Sequence, residues 1–319
     1  MTKTENADTA DPRGLRFGPG EAWASGSAFS YALANVFSSV AVVAADPLVA
    51  SAFRLLPTLA IAWLQVGRAR LWSRLSPASA SFLGWRLLAI LFLTGAGGSA
   101  GTVAFFFALH VGGVVLAAPI LSTNVLWSAL IAALFLKEPL NFRMTMGILV
   151  SVLGIALLGY GRSVGSAVLP GALWAIPLTL GASISWSAMS NCSRYVLRRG
   201  INKYLVLATS QTFGVLIMVG LVFVVGRGVL LWTTPVDALG LVLMAGVLTA
   251  FAQVCDTSAL SLTTVASYST IYGTNSLISA FIAVLFLGES LSFWMVAGTI
   301  ATVAGAIYVQ LSRPLLASS

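Results

Sequence analysis

Charge is the scarcest property of this chain. Only nine of its 319 residues are acidic, one is a histidine and two are cysteines, and charged residues make up 8% of the total. Soluble domains are about a quarter charged, so this composition excludes an ordinary soluble globular protein. The 58% of hydrophobic residues instead favours a chain that crosses a membrane many times.

The few reactive side chains do not form the pattern of a catalytic or metal site. His110 is the one imidazole and falls in a predicted turn, while Cys192 and Cys255 fit neither a metal-ligand spacing nor a disulfide framework. The sequence offers no paired catalytic aspartates and no Ser–His partnership. We therefore expect a protein that is not an enzyme and that holds no metal and no cofactor.

The net charge of +8 does not indicate a nucleic-acid partner, because the basic residues gather at the ends of apolar segments instead of forming a stripe with aromatic residues. The expected partners are the lipid bilayer and a small-molecule substrate. The sequence does not determine the oligomeric state, and a homodimer is one of the assemblies left open.

Apolar runs divide the chain into ten predicted membrane spans after a charged tail. These lie near residues 22–44, 47–66, 82–108, 114–136, 142–161, 171–193, 203–225, 238–259, 264–287 and 293–311. With the N-terminus inside, fourteen basic residues fall on the cytoplasmic side and only Arg162 and Arg227 fall outside. The positive-inside rule therefore predicts that both termini are cytoplasmic, in the cell membrane or, for a bacterium, the inner membrane.

The chain contains an internal repeat. The stretches "LFLKEPLNF" at 134–142 and "LFLGESLSF" at 285–293 are 151 residues apart, and the same shift aligns Asn124 with Asn275. Ten of the fifteen positions from Asn124 to Glu138 are identical to their counterparts without a gap. Each unit would hold five helices, an odd number, so the second unit should lie inverted in the membrane, as in many secondary transporters.

These paired units resemble the EamA-type branch of the drug/metabolite transporter superfamily over residues 22 to 311. The resemblance rests on the repeated "LFLxExLxF" and on "ASAFRLLPTLAIAWL" at 50–64, where an arginine opens a run of small and apolar residues. It implies an all-α carrier of ten transmembrane helices, often an exporter, with a cavity between the first, third and fourth helices of each half. The predicted organisation is a cytoplasmic tail (1–20), a first repeat (21–162) and a second repeat (170–313).

The repeated glutamates, Glu138 and Glu289, have a structural and a functional interpretation. Each follows a long helix and precedes the next one, where a carboxylate can accept hydrogen bonds and is favoured by the helix dipole. They would then be structural pins at opposite membrane faces. The alternative is that they carry protons.

Two charged residues fall inside predicted spans, where each costs about 2.5 to 3.5 kcal/mol without water or a partner. Arg54 lies about 12 Å from the outer end of its helix. It is either a fixed guanidinium that holds another helix or an anion clamp for a substrate carboxylate or phosphate.

Asp256 shares a helix face with Gln253 and Thr249 and is the candidate for coupling to protons or for binding an amine. The alternative is an interfacial aspartate that is solvated or paired with Arg194.

A polar stripe along the ninth span supplies further candidates, and it has a shorter counterpart in the fourth span. Equivalent residues of two inverted helices lie near the pseudo-two-fold axis, where a transporter binds its substrate. Such residues serve equally as contacts between helices, worth about 0.6 to 2 kcal/mol each. The predicted substrate-binding residues are Asn124, Trp127, Tyr268, Tyr272, Asn275, Gln253 and Arg54. Weaker candidates are Trp186 with Ser183, Ser187 and Ser190, and Tyr31 with Ser27 and Asn35.

The function expected from these features is secondary-active transport, with efflux of small metabolites, amino acids or amphipathic compounds and coupling to protons through Asp256. A carrier of nucleotide sugars or phosphorylated metabolites is the alternative, although it should have several basic residues in its cavity. A membrane enzyme or a channel is the alternative from a different class.

Overall fold

A computed structural model describes residues 18–76, 82–124, 126–127, 130–131, 142–164, 171–197, 199–262, 265–288 and 291–311. These residues form helices and turns, and none of them lies in a β-strand. The long helices of this part of the chain are α1 (Pro19–Ala44), α2 (Pro47–Arg68), α3 (Trp85–Leu121), α4 (Phe142–Val164), α5 (Ala175–Leu197), α6 (Lys203–Val224), α7 (Val236–Leu262), α8 (Val265–Leu287) and α9 (Phe293–Leu311).

Among the described residues, six helical segments are long and apolar enough to cross a membrane: Pro19–Ala44, Pro47–Arg68, Trp85–Leu121, Ala172–Leu197, Lys203–Val224 and Val236–Asp256. Shorter apolar stretches lie at Thr145–Gly161, Thr274–Leu287 and Phe293–Tyr308. The chain is therefore a multi-pass membrane protein of helical architecture, and the full count of ten spans remains a prediction.

The helix α3 consists of two helices joined at Gly113. This glycine has φ 73° and ψ 177°, which interrupts the 37-residue run in a conformation that side chains with a Cβ rarely adopt. The break lies between the third and fourth spans that the sequence predicts. His110 is not in the turn, however, and that prediction was wrong. It remains helical, and its Nδ1 lies 2.8 Å from the carbonyl oxygen of Val42.

The turn between α1 and α2 is short and tightly held. Asp46 caps α2, and its Oδ1 accepts hydrogen bonds from the backbone N–H groups of Leu48 at 3.0 Å and Val49 at 3.3 Å, while Pro47 starts the helix. The other oxygen of Asp46 pairs with Arg227, between α6 and α7. The ion pair thus joins the first half of the chain to the second.

Each half packs chiefly against the other. The helix α1 lies against α7 and α8, α2 against α6 and α7, and α3 against α5 and α6. In the repeat, α1 corresponds to α5 and α3 corresponds to α7. The contact of α1 with α7 is therefore equivalent to the contact of α5 with α3. This arrangement puts the interior of the bundle between the halves.

The contact between α4 and α9 is nearly symmetric, because equivalent residues of the two repeats, 151 positions apart, make the same contacts. A Cβ on Gly154 would overlap with Thr302 and lie 2.8 Å from the Gly298 carbonyl oxygen. The same shift turns these residues into Gly305, Ser151 and Gly147, and a Cβ on Gly305 would overlap with Ser151 and lie 2.6 Å from the Gly147 carbonyl oxygen. In addition, Ser151 Oγ donates a hydrogen bond to the carbonyl oxygen of its own counterpart, Thr302, at 3.1 Å. Close approach through small residues is the usual way in which membrane helices associate.

Gly154→Ala should destabilise the protein because the new methyl group forces α4 and α9 apart. Overpacking of this kind costs about 1 to 3 kcal/mol. Thermal unfolding of purified protein should show a clearly lower midpoint. The matched control is Gly240→Ala on α7, where a Cβ meets nothing within 4 Å and alanine has the better helix propensity. Equal loss in both variants would contradict the close contact.

Asp46→Ala should cost more stability than Arg227→Gln. The first change removes a helix cap, worth about 0.5 to 2 kcal/mol. The second removes only the ion pair of a partly exposed arginine, worth about 0 to 1 kcal/mol. Asp46→Asn, which keeps a capping oxygen, should behave like Arg227→Gln. Thermal unfolding of the three variants tests this order, and a larger loss in Arg227→Gln than in Asp46→Ala would refute it.

Candidate functional site

Asp256 is half-buried and is hydrogen-bonded to α1. Its carboxylate accepts a hydrogen bond from Ser27 Oγ and another from the Tyr31 hydroxyl, the latter at 3.3 Å. The sequence leaves open whether this residue is interfacial or internal. These contacts place it between α1 and α7, where a carboxylate requires such donors.

Arg54 is a buried cation with an incomplete set of partners. Its side chain is 5% exposed, and its Nε and Nη2 donate to Thr249 Oγ1 at 3.2 and 3.1 Å. The guanidinium carbon lies 5.9 Å from the ring centre of Phe105 and 5.5 Å from that of Phe106, distances suited to cation–π attraction. Nη1 is buried and has no hydrogen-bond partner within the described structure.

No acidic side chain among the described residues forms an ion pair with Arg54, since the pair found there joins Asp46 to Arg227. A buried charge is normally compensated by an opposite charge or by a full set of hydrogen bonds. One hydroxyl and two aromatic rings provide only part of this compensation. The local chemistry therefore suits an anionic group at Nη1.

Two tyrosines connect the arginine with the aspartate. The rings of Tyr31 and Tyr272 meet edge to face, with their centres 5.7 Å apart. The Tyr31 hydroxyl donates to Asp256, Tyr272 is hydrogen-bonded to Asn275, and both phenol groups lie near Arg54 and Asp256. We call this group the charged cluster; its members are Ser27, Tyr31, Arg54, Thr249, Asp256, Tyr272 and Asn275.

The structure brings together several of the residues that the sequence singles out. Arg54, Asp256, Tyr272 and Asn275 belong to the charged cluster, and Gln253 lies on α7 between Thr249 and Asp256. Tyr268 lies on α8, but its side chain is outside the described part of the structure. Whether any of these residues binds a substrate remains a prediction.

Asn124 and Trp127 have other neighbours. The carbonyl oxygen of Asn124 accepts a hydrogen bond of 2.6 Å from Ser187 Oγ on α5. Trp127 Nε1 is buried and has no partner among the described residues. No hydrogen bond in this part of the chain joins either residue to the charged cluster. Glu138 and Glu289 lie outside the described residues, so their role as structural pins stays a prediction.

Three contributors to the charged cluster are poorly predicted by the sequence. Ser27 and Tyr31 are only weaker candidates, because serine and tyrosine are common packing residues in apolar helices. Thr249 shares a helix face with Asp256, but no sequence pattern shows that Arg54 of another helix reaches it. Among the described residues, no three His, Cys, Asp or Glu side chains gather as a metal site would require.

The sequence matches the model of the EamA-like transporter family twice, over residues 18–160 and 173–311. The chain belongs to the EamA-like transporter family. A search of curated proteins found no match. A solved structure titled only "Crystal structure of protein" is 16% identical, with a TM-score of 0.51, and the alignment covers 91% of this chain and 99% of that one. At this identity the likeness concerns the fold alone.

Thr249→Val should destabilise the protein, because it removes the oxygen that accepts both hydrogen bonds from the Arg54 guanidinium. Loss of a buried partner of a charged group costs about 1 to 3 kcal/mol. Thr249→Ser keeps the hydroxyl and is the matched control. Thermal unfolding should rank Thr249→Ser close to the native protein and Thr249→Val well below it. Equal stability of the two variants would show that Arg54 does not depend on this contact.

Proposed function

We propose that this protein is a secondary-active transporter that exports small metabolites, amino acids or amphipathic compounds. Two five-helix halves, inverted relative to each other, would give alternating access to a site between them. The observation that carries this proposal is the buried Arg54, whose Nη1 has no partner within the described structure. Arg54 and Tyr31 come from the first half of the chain and Asp256 and Tyr272 from the second, as a site between moving halves requires.

Asp256 is the group proposed to couple transport to protons. It accepts hydrogen bonds from Ser27 and Tyr31 on α1, so a change in its protonation would alter the contact between α1 and α7. A protonated carboxyl group donates where a carboxylate only accepts. Proton binding would thereby favour a different arrangement of the two halves.

A carrier of nucleotide sugars or phosphorylated metabolites is the second candidate. Recognition of a multiply charged phosphate group usually calls for several basic side chains, whereas the charged cluster contains one, Arg54. Export of amino acids or other small metabolites is therefore the preferred function. The proposed orientation places ten spans in the cell membrane, the inner membrane of a bacterium, with both termini in the cytoplasm.

Transport by purified protein in liposomes tests the function and the coupling separately. A panel of labelled amino acids, amines, nucleotide sugars and phosphorylated metabolites is offered to vesicles preloaded with the same unlabelled compound. We expect saturable counterflow of an amino acid or amine, and accumulation of that compound when a proton gradient is imposed. Asp256→Asn should abolish gradient-driven accumulation. Asp237→Asn, an exposed change at the start of the same helix, is the matched control.

Several outcomes would change the interpretation. Gradient-driven accumulation that survives in Asp256→Asn would remove the coupling role of this residue. Counterflow confined to phosphorylated compounds would favour the second candidate. Flux that never saturates would indicate a channel, and chemical conversion of a compound would indicate an enzyme.

A further inference from the structure

One end of the bundle carries a group of exposed cations. The connection from α2 to α3 contains four arginines, and all four side chains are exposed. The turn from α5 to α6 adds two more exposed basic residues. The stretches 66–86 and 195–205, which hold these cations, contain no aspartate or glutamate. We call this group the basic surface; its members are Arg68, Arg70, Arg74, Arg86, Arg199 and Lys203.

A single apolar group beneath the basic surface joins the two connections. Leu83 and Leu87, from the α2–α3 side, are buried together with Val196 and Leu205, from the α5–α6 side. Both ends of the short 3-10 helix Leu71–Leu75 pack against the same group. The basic surface therefore combines cations from both halves of the chain at one end of the bundle.

Specific contacts fix the connection between α2 and α3. Arg70 has φ 52° and ψ 39° and is the one non-glycine residue with a positive φ in the described part of the chain. Such a conformation persists only where the surroundings impose it. After this turn, Trp72 stacks on Trp63 of α2, with ring centres 5.1 Å apart, and the Arg74 carbonyl oxygen accepts a hydrogen bond of 2.9 Å from the Leu83 N–H. The connection is thereby held against the end of the bundle.

The basic surface lies at the level of the lipid headgroups. Helix α2 has 22 residues and is about 33 Å long, while the hydrocarbon core of a bilayer is about 30 Å thick. It begins beside the ion pair of Asp46 and Arg227 and ends at Arg68, so these two ends lie near opposite membrane surfaces. Trp72 and Trp85 are 56% and 71% exposed, and tryptophan is enriched at membrane interfaces.

The charge of the basic surface is not neutralised within the described structure. The salt bridge found there joins Asp46 to Arg227 and includes no member of the basic surface. A cluster of four to eight cations next to a membrane span is typical of anionic lipid recognition, with each cation strengthening the attraction about fivefold. The guanidinium group also matches the geometry of a phosphate. Exposed tryptophans at the same level favour a lipid over a soluble anion.

We propose that the basic surface binds anionic phospholipid. The arginines of the α2–α3 connection bind the lipid phosphate together with Arg199 and Lys203, while Trp72 and Trp85 lie beside the glycerol and upper acyl region. In the proposed orientation, this is the cytoplasmic leaflet. The bound lipid contacts both halves of the chain and stabilises the folded bundle. The inference concerns the surrounding membrane and does not depend on which solute is transported.

Lipid binding to purified full-length protein in a neutral detergent tests the preference. Phosphatidylglycerol is compared with phosphatidylcholine of the same acyl chains by native mass spectrometry, and thermal unfolding is followed over the same titration. We expect phosphatidylglycerol to bind about 10-fold more tightly or better and to raise the melting temperature more. Added salt should reduce the difference, because it screens exposed charges.

Photocrosslinking locates the lipid on the unmodified protein. Phosphatidylglycerol with a photoreactive headgroup should label peptides that contain residues 66–86 and 195–205. Labelling confined to residues 224–236, at the other end of the bundle, would overturn the proposal.

Variants without charge assign the binding to the arginines. Arg74→Gln should weaken phosphatidylglycerol binding about fivefold. The quadruple variant Arg68→Gln, Arg70→Gln, Arg74→Gln and Arg86→Gln should lose the preference over phosphatidylcholine. Arg143→Gln changes an exposed arginine outside the basic surface, at the start of α4, and is the matched control for Arg74→Gln. It should leave the preference unchanged.

Equal binding of phosphatidylglycerol and phosphatidylcholine to the unmodified protein would refute the proposal even where no variant folds. A preference that survives in the quadruple variant would place the lipid elsewhere. Displacement of phosphatidylglycerol by an equal concentration of glycerol 3-phosphate would show that the basic surface binds a soluble anion instead of a membrane lipid.

Discussion

The internal chemistry of this protein depends on one constraint, the placement of a guanidinium group where little water reaches it. Arg54 is almost completely buried, is held by a single threonine hydroxyl and lies over two phenylalanine rings. Such a charge is costly in an apolar bundle unless other groups compensate for it. The polar residues of α1, α7 and α8 collect around it, so the interior of the bundle between the halves contains both charges, two phenols and an amide.

Packing between the halves determines where these groups can meet. Glycines at the α4–α9 contact allow two backbones to approach closely, and the contact is nearly symmetric under the 151-residue shift. The charged cluster is not symmetric in this sense. The fold therefore combines a repeated scaffold with a charged cluster whose chemistry differs between equivalent positions.

Much of the architecture could be predicted from the sequence because it depends on local properties. Apolar runs located the helices, the separation of two runs near Gly113 anticipated the break in α3, and the repeated motif led to the family. Contacts between distant helices could not be predicted in this way. Thr249 is 195 residues from Arg54 in the chain, and Ser27 is 229 residues from Asp256. No periodic pattern in the sequence predicts either pair, since the contact depends on how two helices are rotated against each other.

His110 shows that local properties can also mislead. This polar residue precedes a glycine pair, which favours a turn, yet the helix continues to Gly113, where φ is positive.

The charged cluster is divided between the two halves of the chain. Arg54 and Tyr31 lie in the first half, whereas Thr249, Asp256 and Tyr272 lie in the second. Two copies of the first half would place Phe105 at the position of the acid, and two copies of the second would place Ser210 at the position of the base. A symmetric dimer of either half could keep the scaffold, but it would lack one of the two charges. For the charged cluster, the two halves are complementary, and neither can replace the other.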